Sequence, residues 1–114
     1  MRRGDVVLAA TPGDFGKPRP AVVTQSGIFN ETHPSVVMCP LTTFRVEAPL
    51  FRITVEPTED NGLRRSSQVM VDKITTVAKS KVGKRIGRLD DEDIVRLNRA
   101  IVVFFGLGGG NPET

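Results

Sequence analysis

The chain has little of the chemistry that many enzymes depend on: its 114 residues include no tryptophan, no tyrosine, one cysteine and one histidine. The lone thiol of Cys39 excludes an intrachain disulfide and cannot by itself form a zinc site. The lone histidine, His33, excludes a mechanism with two histidines, and in its polar loop we expect an ordinary surface residue. Stacking on nucleic-acid bases would therefore depend on phenylalanine rings or on the planar guanidinium groups of arginines.

Long apolar segments and phosphate-binding loops are also missing. No run approaches the roughly 20 apolar residues of a membrane-spanning helix, and residues 1–4 lack the apolar start of a signal peptide. Neither a Walker-type glycine loop nor a Gly-x-Ser-x-Gly turn occurs. We therefore expect a soluble, cytoplasmic protein that contacts no membrane and needs no metal or cofactor.

Short runs of valine and isoleucine, separated by glycine, proline and asparagine, predict many short strands. The strands are expected over residues 6–10, 21–24, 36–41, 51–55, 68–71, 74–78 and 82–86. The nearly continuous apolar run at 36–41 predicts a central strand, and Asp60, Asn61 and Gly62 predict a turn.

The spacing of apolar residues changes to that of a helix near the C-terminal end. The helical stripe consists of Ile94, Leu97, Ile101 and Phe104. Asp90 is a suitable N-cap and Gly106 a suitable end for this helix. We predict one mainly β domain over residues 1–107, a small bent antiparallel sheet or barrel with a C-terminal α-helix, and a flexible tail over 108–114.

The formal net charge is +3 at pH 7, which permits an anionic partner without requiring one. The positive side chains concentrate in a pair, Arg64 and Arg65, and in a run formed by Lys79, Lys81, Lys84, Arg85 and Arg88. The run has two interpretations, a solvated edge strand protected by lysines and a contact with nucleic-acid phosphates.

Cations, hydroxyls and carboxylates are the reactive groups that remain, and they suit one kind of RNA cleavage. In it the 2′-hydroxyl of the substrate attacks the neighbouring phosphorus, so neither a protein nucleophile nor a metal is required. The protein aligns the attacking oxygen, removes its proton and stabilises charge on the phosphate. DNA lacks the 2′-hydroxyl and cannot react in this way.

Five short motifs occur in a fixed order along the chain. They are Arg-Gly-Asp-Val-Val at 3–7, Arg-Pro-Ala-Val-Val-Thr at 19–24, Pro-Leu-Thr at 40–42, Gly-Leu at 62–63 followed by the run 67–77, and Ile-Gly-Arg-Leu at 86–89. Each motif is weak alone, but their order over residues 3–107 resembles the MazF/PemK family, the ribonuclease toxins of bacterial toxin–antitoxin pairs.

The resemblance implies an SH3-like barrel of the PemK/CcdB type with a C-terminal helix, assembled as a homodimer. It implies a metal-independent, sequence-selective endoribonuclease that cleaves single-stranded mRNA and inhibits growth as a type II toxin. The expected partners are the RNA and a cognate antitoxin, whose acidic, disordered tail covers the basic groove. DNA is the expected target of the toxin–antitoxin complex.

The resemblance places the catalytic pair on Arg19 and Thr42. Arginine stays protonated, so we expect Arg19 to donate hydrogen bonds to the scissile phosphate; Thr42 would orient the 2′-hydroxyl or donate to a phosphate oxygen. Asp72 matches the aspartate that some PemK members use as a general base, although they carry an arginine where this chain has Met70. The alternatives are a surface salt bridge for Arg19 and a carboxylate bonded to turn amides for Asp72.

Contacts with RNA are expected from Lys17, Thr43, Gln68, Phe15 and Arg64. Thr43 is the alternative candidate for the role given to Thr42 at the same site. Gln68 either contacts a base edge or is an ordinary exposed strand residue. The loop phenylalanines either stack on bases or plug the core beneath their loops; they are Phe15, Phe29 and Phe44.

Two other functions fit the same fold. One is a gyrase-poisoning toxin like CcdB, although those relatives act through a C-terminal tail with a tryptophan, which this chain lacks. The other is a non-catalytic SH3-like module that binds nucleic acid or peptides, although such modules usually expose several aromatic side chains.

Overall fold

Seven short strands and one helix form the part of the chain that the computed structural model describes, residues 1–108. The strands are β1 Asp5–Ala9, β2 Arg19–Val23, β3 Ser35–Thr42, β4 Arg52–Val55, β5 Ser67–Met70, β6 Thr75–Ala78 and β7 Val82–Arg88, and the helix is α1 Asp91–Phe105. Each predicted strand and the predicted helix are confirmed, with small shifts at their ends. From residue 109 onward, the predicted tail lies outside the described residues.

The strands form one antiparallel sheet in the order β4-β5-β3-β2-β1-β7, and β6 pairs with β3 beside this path. β3 pairs with three neighbours, which confirms the central strand predicted from its apolar sequence. Its first half pairs with β6 and its last two residues pair with β5, so the sheet divides along this strand. Within residues 1–108 the end strands β4 and β7 do not pair with each other, so the expected barrel is corrected to an open sheet.

Two apolar clusters cover the two faces of the sheet. Val6, Val22 and Cys39 are opposite one another in register on neighbouring strands, so their side chains share one face. They belong to the larger cluster, which α1 covers with Leu97 and Ala100. The smaller cluster contains residues at the alternate positions of the same strands, whose side chains point to the other face, including Val7, Ala21, Val23 and Met38.

The helix ends as its sequence predicts. The Asp90 side chain accepts a hydrogen bond of 2.8 Å from the Asp93 amide, and Gly106 terminates the helix with a φ of 71°. Phe104 packs on Phe51 with ring centroids 5.4 Å apart, yet it stays 45% exposed. Within the described residues, no helix is long and apolar enough to cross a membrane.

An apolar patch remains exposed at the end of α1. This helix-end patch consists of Leu50, Val102, Val103, Phe105 and Leu107, all exposed large hydrophobic residues. Exposed apolar residues grouped in this way on a small domain commonly mark an interaction site.

The predicted turn at 60–62 is confirmed and is tightly fixed. The Asn61 side chain is buried; its oxygen accepts from the amides of Thr58 and Leu63, and its nitrogen donates to the Glu56 carbonyl. Gly62 has a φ of +70°, and a Cβ at this position would overlap the carbonyl of Ile86. The turn therefore presses directly against β7.

The basic run lies on β7 and the 3₁₀ turn Lys79–Lys81 before it. β7 is an end strand of the sheet, which agrees with the edge-strand interpretation, while contact with nucleic acid stays a prediction. Arg85 and Arg88 also approach the buried Asp5 carboxylate, with N–O distances of 3.2 and 3.5 Å. Burial alone would raise the pKa of Asp5, but the Arg2 amide and these two guanidinium groups hold it below its ordinary value.

Candidate active site

A cleft of about 590 Å³ opens beside the adjoining ends of β2 and β3, and both Arg19 and Thr42 line it. Ala21 is opposite Pro40 in the β2–β3 register, and Arg19 and Thr42 each lie two residues beyond that last pair, at the ends of their strands. Residues two apart along a strand share a face. Two groups from separate motifs therefore meet at one place, which we call the main cleft.

Arg19 is the first residue of β2, directly after the loop 10–18. Its Nε lies 3.2 Å from Oδ1 of Asp14, and both side chains line the main cleft. The other oxygen of Asp14 accepts a 2.8 Å hydrogen bond from the Thr11 hydroxyl, which fixes the carboxylate. Arg19 thus forms the salt bridge of the alternative interpretation, but with a partner inside the cleft.

Thr42 is the last residue of β3. Its hydroxyl oxygen accepts a 3.1 Å hydrogen bond from the Phe44 amide, as in a common threonine turn. The hydroxyl proton is not used by that bond, so it is available to an acceptor in the cleft. Thr43 follows directly, is exposed and also lines the cleft.

Asp72 lies in the 3₁₀ turn Val71–Lys73 and forms a two-pronged ion pair with Arg52. The two N–O distances are 2.7 and 3.0 Å. The hydrogen bonds from Arg52 hold the pKa of Asp72 below its ordinary value, against the opposing effect of burial. Met70 and Lys73 line the main cleft, whereas Asp72 is not among its lining residues. The pair therefore ties β4 to this turn, and a catalytic role for Asp72 stays a prediction.

Gln68 is buried, so its interpretation as an ordinary exposed strand residue is wrong. Its side-chain oxygen accepts from the Val46 amide and its nitrogen donates to the Val46 carbonyl, each at 3.1 Å. These bonds use one acceptor position and one N–H of the amide, and a contact of Gln68 with a base edge stays a prediction. Gln68 anchors the loop 43–49 to β5.

Of the other predicted RNA contacts, Phe15 and Lys17 lie on the loop 10–18, which also supplies Asp14 to the cleft, although neither of them lines it. Phe15 is 98% exposed and has a φ of 52°, unusual for a residue other than glycine. Phe29 and Phe44 are exposed as well, so the idea that these rings plug the core is wrong. Lys17 is exposed on the same loop as Phe15, and Arg64 lines a second pocket beside the cleft.

Two charged residues that line the cleft, Asp14 and Lys73, were given no role from the sequence. Asp14 lies five positions before Arg19 in a loop rich in turn residues, and Lys73 lies inside the motif 67–77. Within residues 1–108, no three histidine, cysteine, aspartate or glutamate side chains lie close enough together to hold a metal ion. The main cleft thus combines two cations, hydroxyl groups and one carboxylate.

Comparison with known proteins agrees with the motifs. The family described as "PemK-like, MazF-like toxin of type II toxin-antitoxin system" matches residues 2–105. A "Probable endoribonuclease MazF" of Mycolicibacterium smegmatis is 47% identical over 110 residues, which are 96% of this chain and 100% of that protein. "Endoribonuclease EndoA" of Bacillus subtilis is 26% identical, covering 94% of this chain and 96% of that protein.

Solved structures show the same fold. A mycobacterial endoribonuclease in complex with its cognate antitoxin superposes with a TM-score of 0.80 at 23% identity, covering 94% of this chain and 96% of that chain. A MazE–MazF structure from Deinococcus radiodurans gives a TM-score of 0.75 at 17% identity, covering 93% and 95%. At such identities the structures support the architecture rather than the chemistry.

Proposed function

Because this chain belongs to the PemK-like, MazF-like toxin family of type II toxin–antitoxin systems, we propose that it is an endoribonuclease that cleaves single-stranded mRNA and thereby inhibits growth. The observation that carries the proposal is that Arg19 and Thr42 line one cleft from adjoining strands. A guanidinium and a hydroxyl in that arrangement suit a phosphodiester that is attacked by its own ribose.

In the proposed reaction, the 2′-hydroxyl loses its proton as its oxygen bonds to phosphorus, and the bond from phosphorus to the 5′-oxygen breaks. Arg19 remains charged and donates hydrogen bonds to the phosphate, which stabilises the extra negative charge of the transition state. To do so it exchanges its contact with Asp14 for the phosphate. Thr42 donates its free hydroxyl proton to the attacking ribose or to a phosphate oxygen. The leaving 5′-oxygen takes up a proton from water, so the products are a cyclic phosphate and a 5′-hydroxyl.

The proton acceptor is better placed at Asp14 than at Asp72. Asp14 is the one carboxylate that lines the main cleft within the described residues. When Arg19 turns to the phosphate, the carboxylate of Asp14 loses this 3.2 Å contact and is free to accept a hydrogen bond from the 2′-hydroxyl. Asp72 keeps both oxygens on Arg52 and meets no such change.

The partners follow from the same surfaces. An acidic segment of an antitoxin would bind to the cations of the main cleft, Arg19 and Lys73, and would thereby block the access of RNA. A second copy of the chain would cover the helix-end patch and give a homodimer. The toxin–antitoxin pair would bind DNA, and the free toxin would act on mRNA in the cytoplasm.

The decisive experiment is incubation of the purified chain with mixed-sequence RNA in the presence of EDTA, followed by analysis of the fragment ends. Cyclic phosphate and 5′-hydroxyl ends are expected, and Arg19→Ala should remove them while circular dichroism stays unchanged. RNA that stays intact would overturn the proposal. Stalled gyrase beside intact RNA would favour the CcdB-like alternative, and binding without cleavage would favour the non-catalytic module.

A further inference from the structure

A side pocket of about 390 Å³ adjoins the main cleft. We propose that it binds one nucleobase of the RNA, next to the phosphate that is cleaved. This inference rests on the proposed function for the position of that phosphate at Arg19.

The side pocket and the main cleft form one continuous surface. Pro20, Thr43 and Ser67 line both of them. Pro20 directly follows Arg19 on β2, and Thr43 directly follows Thr42, so the boundary between the two spaces lies one residue from each proposed catalytic group. A nucleotide whose phosphate contacts Arg19 therefore reaches the side pocket with its base.

The lining of the side pocket matches the chemistry of a base rather than that of a phosphate. Leu8, Leu63 and Ile86 supply aliphatic walls. Arg64 and Arg65 also line it and are exposed, and in the described part of the chain neither guanidinium takes part in an ion pair. A flat base fits between apolar walls and stacks on a guanidinium plane, which a phosphate cannot do.

One wall of the side pocket is rigid before any ligand arrives. Gly62 and Leu63 belong to the turn that Asn61 holds through its buried hydrogen bonds, and the turn presses against Ile86. A preformed pocket loses little conformational freedom on binding. It also discriminates between bases, because it cannot widen easily for a larger one.

The test measures binding apart from cleavage. A random pool of single strands with 2′-deoxy nucleotides throughout cannot be cut by internal attack, so the base composition of the bound strands reports recognition alone. Wild type should enrich a particular base at one position, and a strand with an abasic site there should bind roughly tenfold more weakly. Arg64→Ala should lose most of this discrimination, and Leu8→Phe, which fills the pocket, should lose it as well. Arg99→Ala, an exposed arginine on the helix, is the matched control and should behave as wild type.

The outcomes separate this inference from the proposed function. If Arg64→Ala and a folded Leu8→Phe enrich the same base as wild type, the side pocket does not bind it, whatever the RNA cleavage assay gives. If Leu8→Phe fails to fold, Arg64→Ala with the abasic strand decides alone. If wild type binds with base discrimination but leaves RNA intact, the side pocket stands and the nuclease proposal falls.

Discussion

Arg19 and Asp14 form an ion pair inside the main cleft, with Nε 3.2 Å from Oδ1. The carboxylate of Asp14 therefore contacts the same guanidinium group that is proposed to bind the scissile phosphate. In the proposed reaction, substrate binding therefore replaces one anion by another at Arg19, and it releases Asp14 beside the reacting ribose.

We expect Asp14→Asn to lower kcat by about a hundredfold, because the amide cannot accept the proton of the 2′-hydroxyl. KM should not rise, since the competing negative charge is gone. Steady-state cleavage of a fluorescent RNA measures both constants, and Asp91→Asn on the exposed first turn of α1 is the control. An unchanged kcat would remove Asp14 from the reaction.

Thr42→Val keeps the shape of the side chain but deletes the hydroxyl. We expect kcat to fall by about a hundredfold, the usual effect of losing one donor to a transition state, and Thr42→Ser to restore most of it. The control is Thr76→Val, since Thr76 is an exposed residue of β6. Equal activities of the valine and serine variants would show that the hydroxyl is not needed.

Asp72→Asn tests the ion pair with Arg52. We expect the free energy of unfolding at pH 7 to fall by about 2 kcal/mol, because both charge-assisted hydrogen bonds are weakened, while kcat stays near the wild-type value. A large loss of kcat without a loss of stability would instead support the catalytic role that the resemblance implies for this residue.

The same variant has a defined dependence on pH. Arg52 lowers the pKa of Asp72 in the folded chain, so its stabilisation is complete above the unfolded value of about 3.9 and is lost as the pH falls through the folded value. The difference in unfolding free energy between wild type and Asp72→Asn should therefore shrink below about pH 4. Urea unfolding at several pH values measures it, and a difference that grows on acidification would contradict the assignment.

Gly62→Ala should destabilise the chain by at least about 2 kcal/mol, because the residue has a positive φ and its Cβ would meet the Ile86 carbonyl. Gly27→Ala is a close control, since a Cβ at that position meets no atom within 4 Å. Thermal unfolding of both variants is sufficient. Similar midpoints for the two would mean that the turn can move away from β7.

Val103→Asp tests the proposed pairing through the helix-end patch. The side chain is 53% exposed, so a charge there should leave the fold intact but disfavour burial against a second copy. Sedimentation equilibrium should show a dimer for wild type and a monomer for the variant, with Val95→Asp as an exposed control on the same helix. A wild-type monomer would contradict the pairing.

Local patterns in the sequence were sufficient for the elements of the fold. The seven strands, the cap at Asp90 and the end at Gly106 depend on residues close together in the chain. Closure of a barrel depends on whether the two end strands meet, which no local pattern reports. The open sheet therefore became visible only in the structure.

The site was predictable to the extent that family motifs carry roles. They pointed to Arg19 and Thr42, which line one cleft at the ends of β2 and β3, and the catalytic roles of these residues stay predictions. The partners of Asp72 and Gln68, which are Arg52 and Val46, lie about twenty residues away in the chain and left no sign in it. Asp14 was missed because a carboxylate in a glycine-rich loop is ordinarily a turn residue.

Cys39 lies at the centre of the sheet with none of its surface exposed, and burial raises the pKa of its thiol to about 12. Peroxides and alkylating agents react with the thiolate, which is scarcely present in such a group at neutral pH. Oxidants that inactivate enzymes with reactive thiols would therefore leave the buried thiol of Cys39 unmodified. Iodoacetamide should label the chain only after it has been unfolded.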